Sequence, residues 1–324
     1  MENLKIGIIG AGYIGGVHGS LLARDERVLL AQVHDVQTER AEKLARSTGA
    51  AVAPDVEALL EAVSAVYIAT PNTKHTAIAL EALARGKHVF CEKPMATSVE
   101  DARAVLEAAS RTNTVFQVGH NRRFAPVYDL LKRLLSEAGP PHSAHIKMNR
   151  GELINPDWVG DPQVTGGFLY ETTIHMFDMM RFLFGDVASL SAAGSSHEYP
   201  EVDDFSMLLG FTSGMHATLA SSADASWLFP FERIEVFCHH STITTREMES
   251  ITQSQEVDGR HFTRSMQQLS KEEKWGYAQE DRAFIDSIVD GAPAAVTALD
   301  GFKSVELVDA CYRAVRTGER IDLR

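Results

Sequence analysis

The chain has 324 residues, with 31 basic against 44 acidic side chains, a net charge of −13 and 44% hydrophobic residues. That length exceeds the usual single-core size, so two domains are expected, with ample apolar material for burial. The acidic balance disfavours nucleic acid and anionic membrane as partners, and no uncharged run reaches the ~20 residues that a bilayer span needs.

Three cysteines, Cys91, Cys238 and Cys311, supply neither a disulfide framework nor a CxxC pair, which fits a reducing compartment. The first residues begin a strand rather than a basic and apolar leader, so a cytoplasmic location is expected.

In chain order, "LKIGIIG" reads as a buried strand and "YIGGVHGSLLAR" as the helix after it. The pairs "VLLAQVHD"/"TERAEKLARSTG", "AVYIAT"/"KHTAIALEALARG" and "KHVFCEK"/"SVEDARAVLEAASRT" repeat the alternation, and "TVFQVGH" adds another strand. Such alternation predicts right-handed βαβ crossovers and a doubly wound, Rossmann-like parallel sheet over 1–120.

Beyond residue 120 the rhythm changes. A helix, "FAPVYDLLKRLLSEAG", leads through Pro140-Pro141 into "SAHIKMN". The runs "FSMLLGF", "MHATLASSA", "RIEVFC" and "STITTRE" then alternate as half-exposed strands. Helical patterns return at the end. Residues 121–324 therefore predict an α+β domain on a large, open, mainly antiparallel sheet, its last helices packing back on the first domain.

The loop Gly10-Ala11-Gly12-Tyr13-Ile14-Gly15 has G-x-G-x-x-G spacing between a strand and a helix, the context a dinucleotide site requires. The first glycine allows the tight turn, the second lets backbone approach a pyrophosphate, and the third lets helix pack on strand. The helix N-terminus then offers N–H groups and a favourable dipole to the phosphates. Asp35 ends the second strand twenty positions after Gly15, where a carboxylate accepts hydrogen bonds from ribose hydroxyls. It would repel a 2′-phosphate, and Val36 and Gln37 offer no arginine to neutralise one. NAD is therefore expected in preference to NADP.

With this loop, "TPNTKHTAIALEALARGKHVFCEKPMA" resembles the glucose–fructose oxidoreductase/inositol dehydrogenase/rhizopine-catabolism (Gfo/Idh/MocA) family, whose signature is Glu92-Lys93-Pro94. "VGHNRRFAP" and "GGFLYETTIH" are similar to its motifs too, so the resemblance runs nearly end to end. It implies an NAD-binding domain, a substrate domain whose open sheet serves a homodimer or homotetramer, and a substrate bound between the domains. Thr70, Pro71, Asn72 and His75 would line the cofactor. Glu92 and Lys93 would lie near the nicotinamide and its ribose, and Pro94, in the family often cis, would hold Lys93. Asn121 and Arg122 match positions near the nicotinamide and substrate. The polar loop with Asn149, Arg150, Asn155 and Trp158 suits a sugar or cyclic polyol.

The stretch "GGFLYETTIHMFDMMRFLFG" predicts one helix over 166–185 with Glu171 and His175 at i and i+4 on a shared face and Asp178 partly beside them. A histidine satisfied internally by Glu171 or Asp178 is the alternative to a catalytic one. The resemblance places a catalytic histidine at His175 and a carboxylate, usually aspartate, at Glu171. A neutral imidazole suits removal of a hydroxyl proton during hydride transfer. His175 is thus expected as base in oxidation and acid in reduction, and protonated Lys93 as stabiliser of alkoxide character. Glu171 would orient the substrate or the Lys–His pair. Glu171 for aspartate and Thr173 for the family's frequent glycine are departures that weaken inositol itself as the substrate.

Cys238-His239-His240 lacks a second ligand cluster, and no metal is expected. The expected activity is an NAD-dependent dehydrogenase of CH–OH groups on a sugar or polyol. A sugar oxidoreductase with a tightly held, recycled cofactor and a non-catalytic dinucleotide sensor are the alternatives.

Overall fold

The structure, a computed structural model, describes residues 3–149, 151, 153, 156, 158–227, 231–256 and 259–323. It divides into two compact units, Met1–His120 with Tyr277–Val305, and Asn121–Gly276 with Glu306–Arg324.

In the first unit, β1 (Leu4–Ile9), β2 (Val28–His34), β3 (Ala51–Val52), β4 (Ala65–Ile68), β5 (His88–Glu92) and β6 (Phe116–Gly119) form one sheet. All its pairings are parallel, in the order β3-β2-β1-β4-β5-β6. The crossovers are α1 (Tyr13–Leu22), α2 (Thr38–Thr48), α3 (Val56–Ala62), α4 (His75–Ala84) and α5 (Val99–Ser110). Strand order reverses between β1 and β4, so the C-terminal ends of those strands frame the crevice where such sheets bind ligands. Every residue of β4 is buried, the continuous apolar run that a sheet covered on both faces demands. The short α3 and β3 were not predicted. Asp55 caps α3 by accepting the Ala58 N–H at 2.8 Å.

The second unit is built on β7 (Ser143–Asn149), β8 (Val187–Ser195), β9 (Asp204–Phe211), β10 (His216–Ser222), β11 (Glu232–Cys238), β12 (Ser241–Arg246), β13 (Ser250–Gln255), β14 (His261–Ser265) and β15 (Ile321–Asp322). Their order is β14-β13-β12-β11-β7-β10-β9-β8-β15, and only the β7–β10 pairing is parallel among those described. β9 buries Phe205, Met207, Leu209 and Phe211 and turns Ser206 and Leu208 outward, so the period of two gives this sheet one apolar and one open face. The helices of this unit are α6 (Pro126–Ala138), lying against β12 and β13, then α7 (Pro162–Thr165), α8 (Ile174–Phe184) and α9 (Lys271–Lys274).

The helix predicted over 166–185 is not continuous. Gly166 and Gly167, at φ of 85° and 113°, end α7, and a single π-helical turn over Leu169–Thr173 precedes α8. Helical periodicity cannot distinguish that turn from α-helix, because both keep residues four or five apart on one face.

Two further helices, α10 (Tyr277–Val289) and α11 (Ala298–Thr317), precede β15. Phe284 and Ile285 of α10 join Ile6, Ile8, Tyr67 and Phe90 in the core of the first unit. The three cysteines are buried thiols. No helix among the described residues is long and apolar enough to cross a membrane.

Candidate active site

The glycine loop between β1 and α1 is shaped by steric necessity at two points. A Cβ on Gly10 would lie 2.3 Å from the Ala69 carbonyl oxygen, and one on Gly15 would lie 1.9 Å from the Gly10 carbonyl oxygen. Gly12 faces open space, with no atom within 4 Å of where its Cβ would be, and no side chain caps α1. That opening beside an uncapped helix N-terminus fits a pyrophosphate. Ala11 donates its N–H to one oxygen of Asp35 at 2.7 Å, and Gln37 donates to the other at 2.8 Å. Asp35 therefore ties the loop to the end of β2 and is fixed before any ribose arrives. Tyr13 and Ile14 open α1, with Tyr13 largely exposed.

At the neighbouring strand ends, β5 delivers Glu92 and Lys93, and the Lys93–Pro94 peptide is cis. Glu92 is buried. One of its oxygens faces His18 Nε2 at 3.0 Å, and the other accepts the Lys93 N–H at 3.2 Å. His18 Nδ1 lies 2.7 Å from Asp281. His75 was expected to line the cofactor. It is 1% exposed, with Nδ1 2.7 Å from the Pro94 carbonyl and Nε2 2.8 Å from the Thr70 carbonyl. Its ring thus packs between the loop of Thr70, Pro71 and Asn72 and the segment carrying Lys93, and in its neutral form donates to one of the two carbonyls. Burial pushes the His75 ring below the usual histidine range. Burial pulls His18 the same way, but the Asp281 and Glu92 carboxylates outweigh it and leave His18 well above that range.

In the second unit the π turn and α8 carry Glu171 and His175. A Cβ on Gly167 would lie 2.6 Å from a Glu201 carboxylate oxygen and 2.8 Å from the Tyr312 hydroxyl. Leu169 donates its N–H to that hydroxyl at 3.2 Å. Thr173, the residue in place of the family's frequent glycine, has a use here. Ser221 Oγ donates to the Met148 carbonyl at 3.0 Å, so the Thr173 hydroxyl, 2.6 Å away, donates to Ser221. The start of α8 is thereby tied to β10 and β7.

His175 is 7% exposed, and its Nε2 lies 3.1 Å from Arg122 Nη1. A guanidinium only donates, so Nε2 holds the lone pair and the ring is neutral with its proton on Nδ1. Arg122 is itself fixed by Glu232 at 3.1 Å, by Asn121 Oδ1 at 3.2 Å, and by lying 4.8 Å over the Trp275 ring. Glu232 is fully buried and also accepts the Tyr128 hydroxyl at 2.7 Å, while Asn121 Nδ2 donates to the Trp275 carbonyl at 2.9 Å. Arg123 takes both oxygens of Asp178 at 2.6 and 2.8 Å, a pairing that the spacing within 166–185 could not reveal.

Trp158 is half-buried in a turn, and Glu171 is half-buried on the π turn. Arg150 and Asn155 lie outside the described residues. Residues that the sequence did not single out are Glu232, Trp275 and Tyr128 around Arg122, and His18 and Asp281 behind Glu92. Only His18 carried a signal, as a polar residue on the Gly15, His18, Gly19, Leu22 stripe that α1 buries. Cys238 ends β11, and His239 and His240 form the turn into β12, with His240 at φ 48°.

Comparison with known proteins supplies an independent description. A family model described as "oxidoreductase family, NAD-binding Rossmann fold" (Gfo/Idh/MocA) matches residues 4–120, and its C-terminal α/β partner matches 132–323. The inositol 2-dehydrogenase of Rhizobium meliloti is 29% identical over 341 aligned positions, covering 99% of both chains. The myo-inositol 2-dehydrogenase of Thermotoga maritima is 27% identical, covering 99% of this chain and 98% of that one. The crystal structure of GenD2 from gentamicin A biosynthesis in complex with NAD superposes with a TM-score of 0.87 at 25% identity, covering 100% of this chain and 97% of that one.

Proposed function

This chain belongs to the Gfo/Idh/MocA family of NAD-binding oxidoreductases, and from that premise we propose that it oxidises a secondary hydroxyl of a cyclic polyol or sugar, or reduces the matching ketone. NAD, when bound, supplies the hydride acceptor. The observation that carries the proposal is the preparation of two groups, one in each unit. The backbone of Lys93 is held by Glu92 at the strand end, and His175 is held neutral with its Nε2 lone pair turned to Arg122.

Each residue then has one task. Protonated Lys93 hydrogen-bonds the reacting oxygen and stabilises its developing negative charge. His175 accepts the hydroxyl proton at Nε2 once the substrate oxygen replaces Arg122 there, and returns it in the reverse direction. Glu171 contacts a second hydroxyl, with Asn121, Arg122 and Trp158 as further substrate contacts. The longer reach of Glu171, relative to aspartate, favours a ring other than plain inositol. Gly10 to Gly15 hold the pyrophosphate. Asp35 accepts the ribose hydroxyls and excludes a 2′-phosphate, which supports NAD over NADP. The open face of the nine-stranded sheet serves a homodimer or homotetramer.

The test is absorbance at the reduced-nicotinamide band across inositols, aldoses and glycosides with either cofactor. Turnover with NAD on at least one polyol or sugar is expected, and loss of about 10²–10⁴-fold in kcat for His175→Ala. Silence across the whole panel would favour a dinucleotide sensor instead. Equal rates with NADP would remove the role given to Asp35.

A further inference from the structure

α1 buries Gly15, His18, Gly19 and Leu22, and His18 is the one ionisable side chain on that stripe. Its ring is boxed by Phe90 at 5.0 Å, Tyr67 at 5.2 Å and Tyr277 at 6.0 Å. Such surroundings alone would keep an imidazole neutral. Both nitrogens nevertheless face carboxylates, Nδ1 toward Asp281 at 2.7 Å and Nε2 toward Glu92 at 3.0 Å. Carboxylates only accept, so both nitrogens donate and the ring is an imidazolium. The groups facing it are Glu92 from β5, Tyr67 from β4, and Tyr277, Glu280 and Asp281 from α10.

The second oxygen of Glu92 accepts the Lys93 N–H, and β6 leaves room for that carboxylate only because Gly119 has no side chain. A Cβ there would sit 2.9 Å from it. An unbroken chain of hydrogen bonds therefore runs from Asp281 through His18 and Glu92 to the backbone of Lys93, inside the first unit. On the far side of Lys93, His75 grips the Pro94 carbonyl. Two buried histidines flank the segment: His18 charged between two carboxylates, and His75, kept below the usual range by burial, with one N–H to donate to its carbonyl neighbours.

We infer that His18 is a positioning residue for Lys93: its imidazolium, oriented by Asp281, fixes the Glu92 carboxylate and through it the Lys93 backbone from which the ammonium reaches. The consequence for turnover rests on the role proposed for Lys93, but the positioning itself does not. Ligand atoms of His18, Glu92 and Glu280 also lie within 4.8 Å of one another, close enough for a metal ion. A metal on Nε2 would displace the proton that joins it to Glu92, so the hydrogen-bonded arrangement and a metal site exclude each other.

The experiment uses the full chain with its lysines dimethylated with ¹³C-formaldehyde, the Lys93 resonance being assigned by its loss in Lys93→Arg. His18→Gln, which keeps a donor, and Asp281→Asn are compared with the parent after circular dichroism has established that each is folded. If His18→Gln does not fold, Asp281→Asn carries the same measurements. The Lys93 resonance is expected to move in both variants while the other lysine signals stay. With NAD and the best polyol, kcat should fall about 10²-fold with the NAD dissociation constant unchanged. In a Lys93→Ala background, His18→Gln should cost nothing further, because both substitutions act through one group.

An unmoved Lys93 signal in a folded variant, additive losses in the double variant, or a stoichiometric metal in the purified protein would each overturn the inference. If Lys93→Ala turns over normally while the resonance still moves, the catalytic role of Lys93 falls and the positioning role stands.

Discussion

Arg122 meets a neutral histidine, a buried carboxylate, an amide oxygen and an indole face at once, and the balance among them sets its cost of removal. Glu232 is fully buried, so Arg122→Gln leaves a carboxylate with only the Tyr128 hydroxyl and should destabilise the second unit by about 3–5 kcal/mol. Urea unfolding followed at Trp275, which packs on the guanidinium, would measure it. Adding Glu232→Gln should recover most of the loss, because it removes the stranded charge rather than the contact. Failure of the second substitution to rescue would mean that packing on Trp275, and not charge, dominates. At this scale the sequence was legible where chemistry is local. The glycine spacing, Asp35 and Glu92-Lys93-Pro94 are read from neighbours within one loop. Arg123–Asp178 and Arg122–Glu232 join residues 55 and 110 positions apart, and nothing in either segment marks the other as its partner.

Elements show the same division between what steric rules dictate and what they leave open. Gly12 and Gly15 share one motif, yet the space around them differs. Gly15→Ala drives a Cβ into the Gly10 carbonyl and should abolish folding or sharply lower the melting temperature. Gly12→Ala meets no protein atom and should cost no more than about 1 kcal/mol of stability, as a poorer N-cap. Its effect falls on the cofactor: a Cβ in the pyrophosphate space should weaken NAD binding about tenfold or more, that is by ~1.4 kcal/mol or more. Thermal melts with and without NAD separate the two outcomes, and wild-type NAD affinity in Gly12→Ala would place the pyrophosphate elsewhere. The βαβ elements were legible because each carries its own period and punctuation. β8, with the sequence "VASLSAAGS", was not, since small residues there blur the alternation that marks a strand. The π turn was not, because its apolar spacing is that of an α-helix and its cause lies in Gly166-Gly167 and the distant Tyr312 hydroxyl.

Across the whole molecule, His18 in the first unit and Glu247 in the second make stability fall as pH rises, whereas the lowered His75 ring acts in the opposite sense. In the first unit, His18 keeps its proton well above the ordinary range because Asp281 and Glu92 face it against the pull of burial. A raised folded pKa means that the native state binds the proton which the unfolded chain has released. The stabilisation is therefore complete below about pH 6.5 and is lost as pH climbs through the raised value. In the second unit, burial pushes the Glu247 carboxyl up to about 7, although it accepts the Phe231 N–H at 2.7 Å. Its native state also holds the extra proton, so that contribution is present below 4.5 and disappears between there and about pH 7, on the order of a few kcal/mol. The two losses occupy successive pH windows and belong to different units. Hydrogen exchange should therefore show amides of β11 losing protection from pH 5 to 7, and amides of β5 losing it only above neutrality, after correction for intrinsic exchange rates. Glu247→Gln should flatten the first limb alone and His18→Gln the second alone. If either substitution flattens both limbs, the units do not open independently, and the pH dependence would have to be assigned to the chain as one cooperative body.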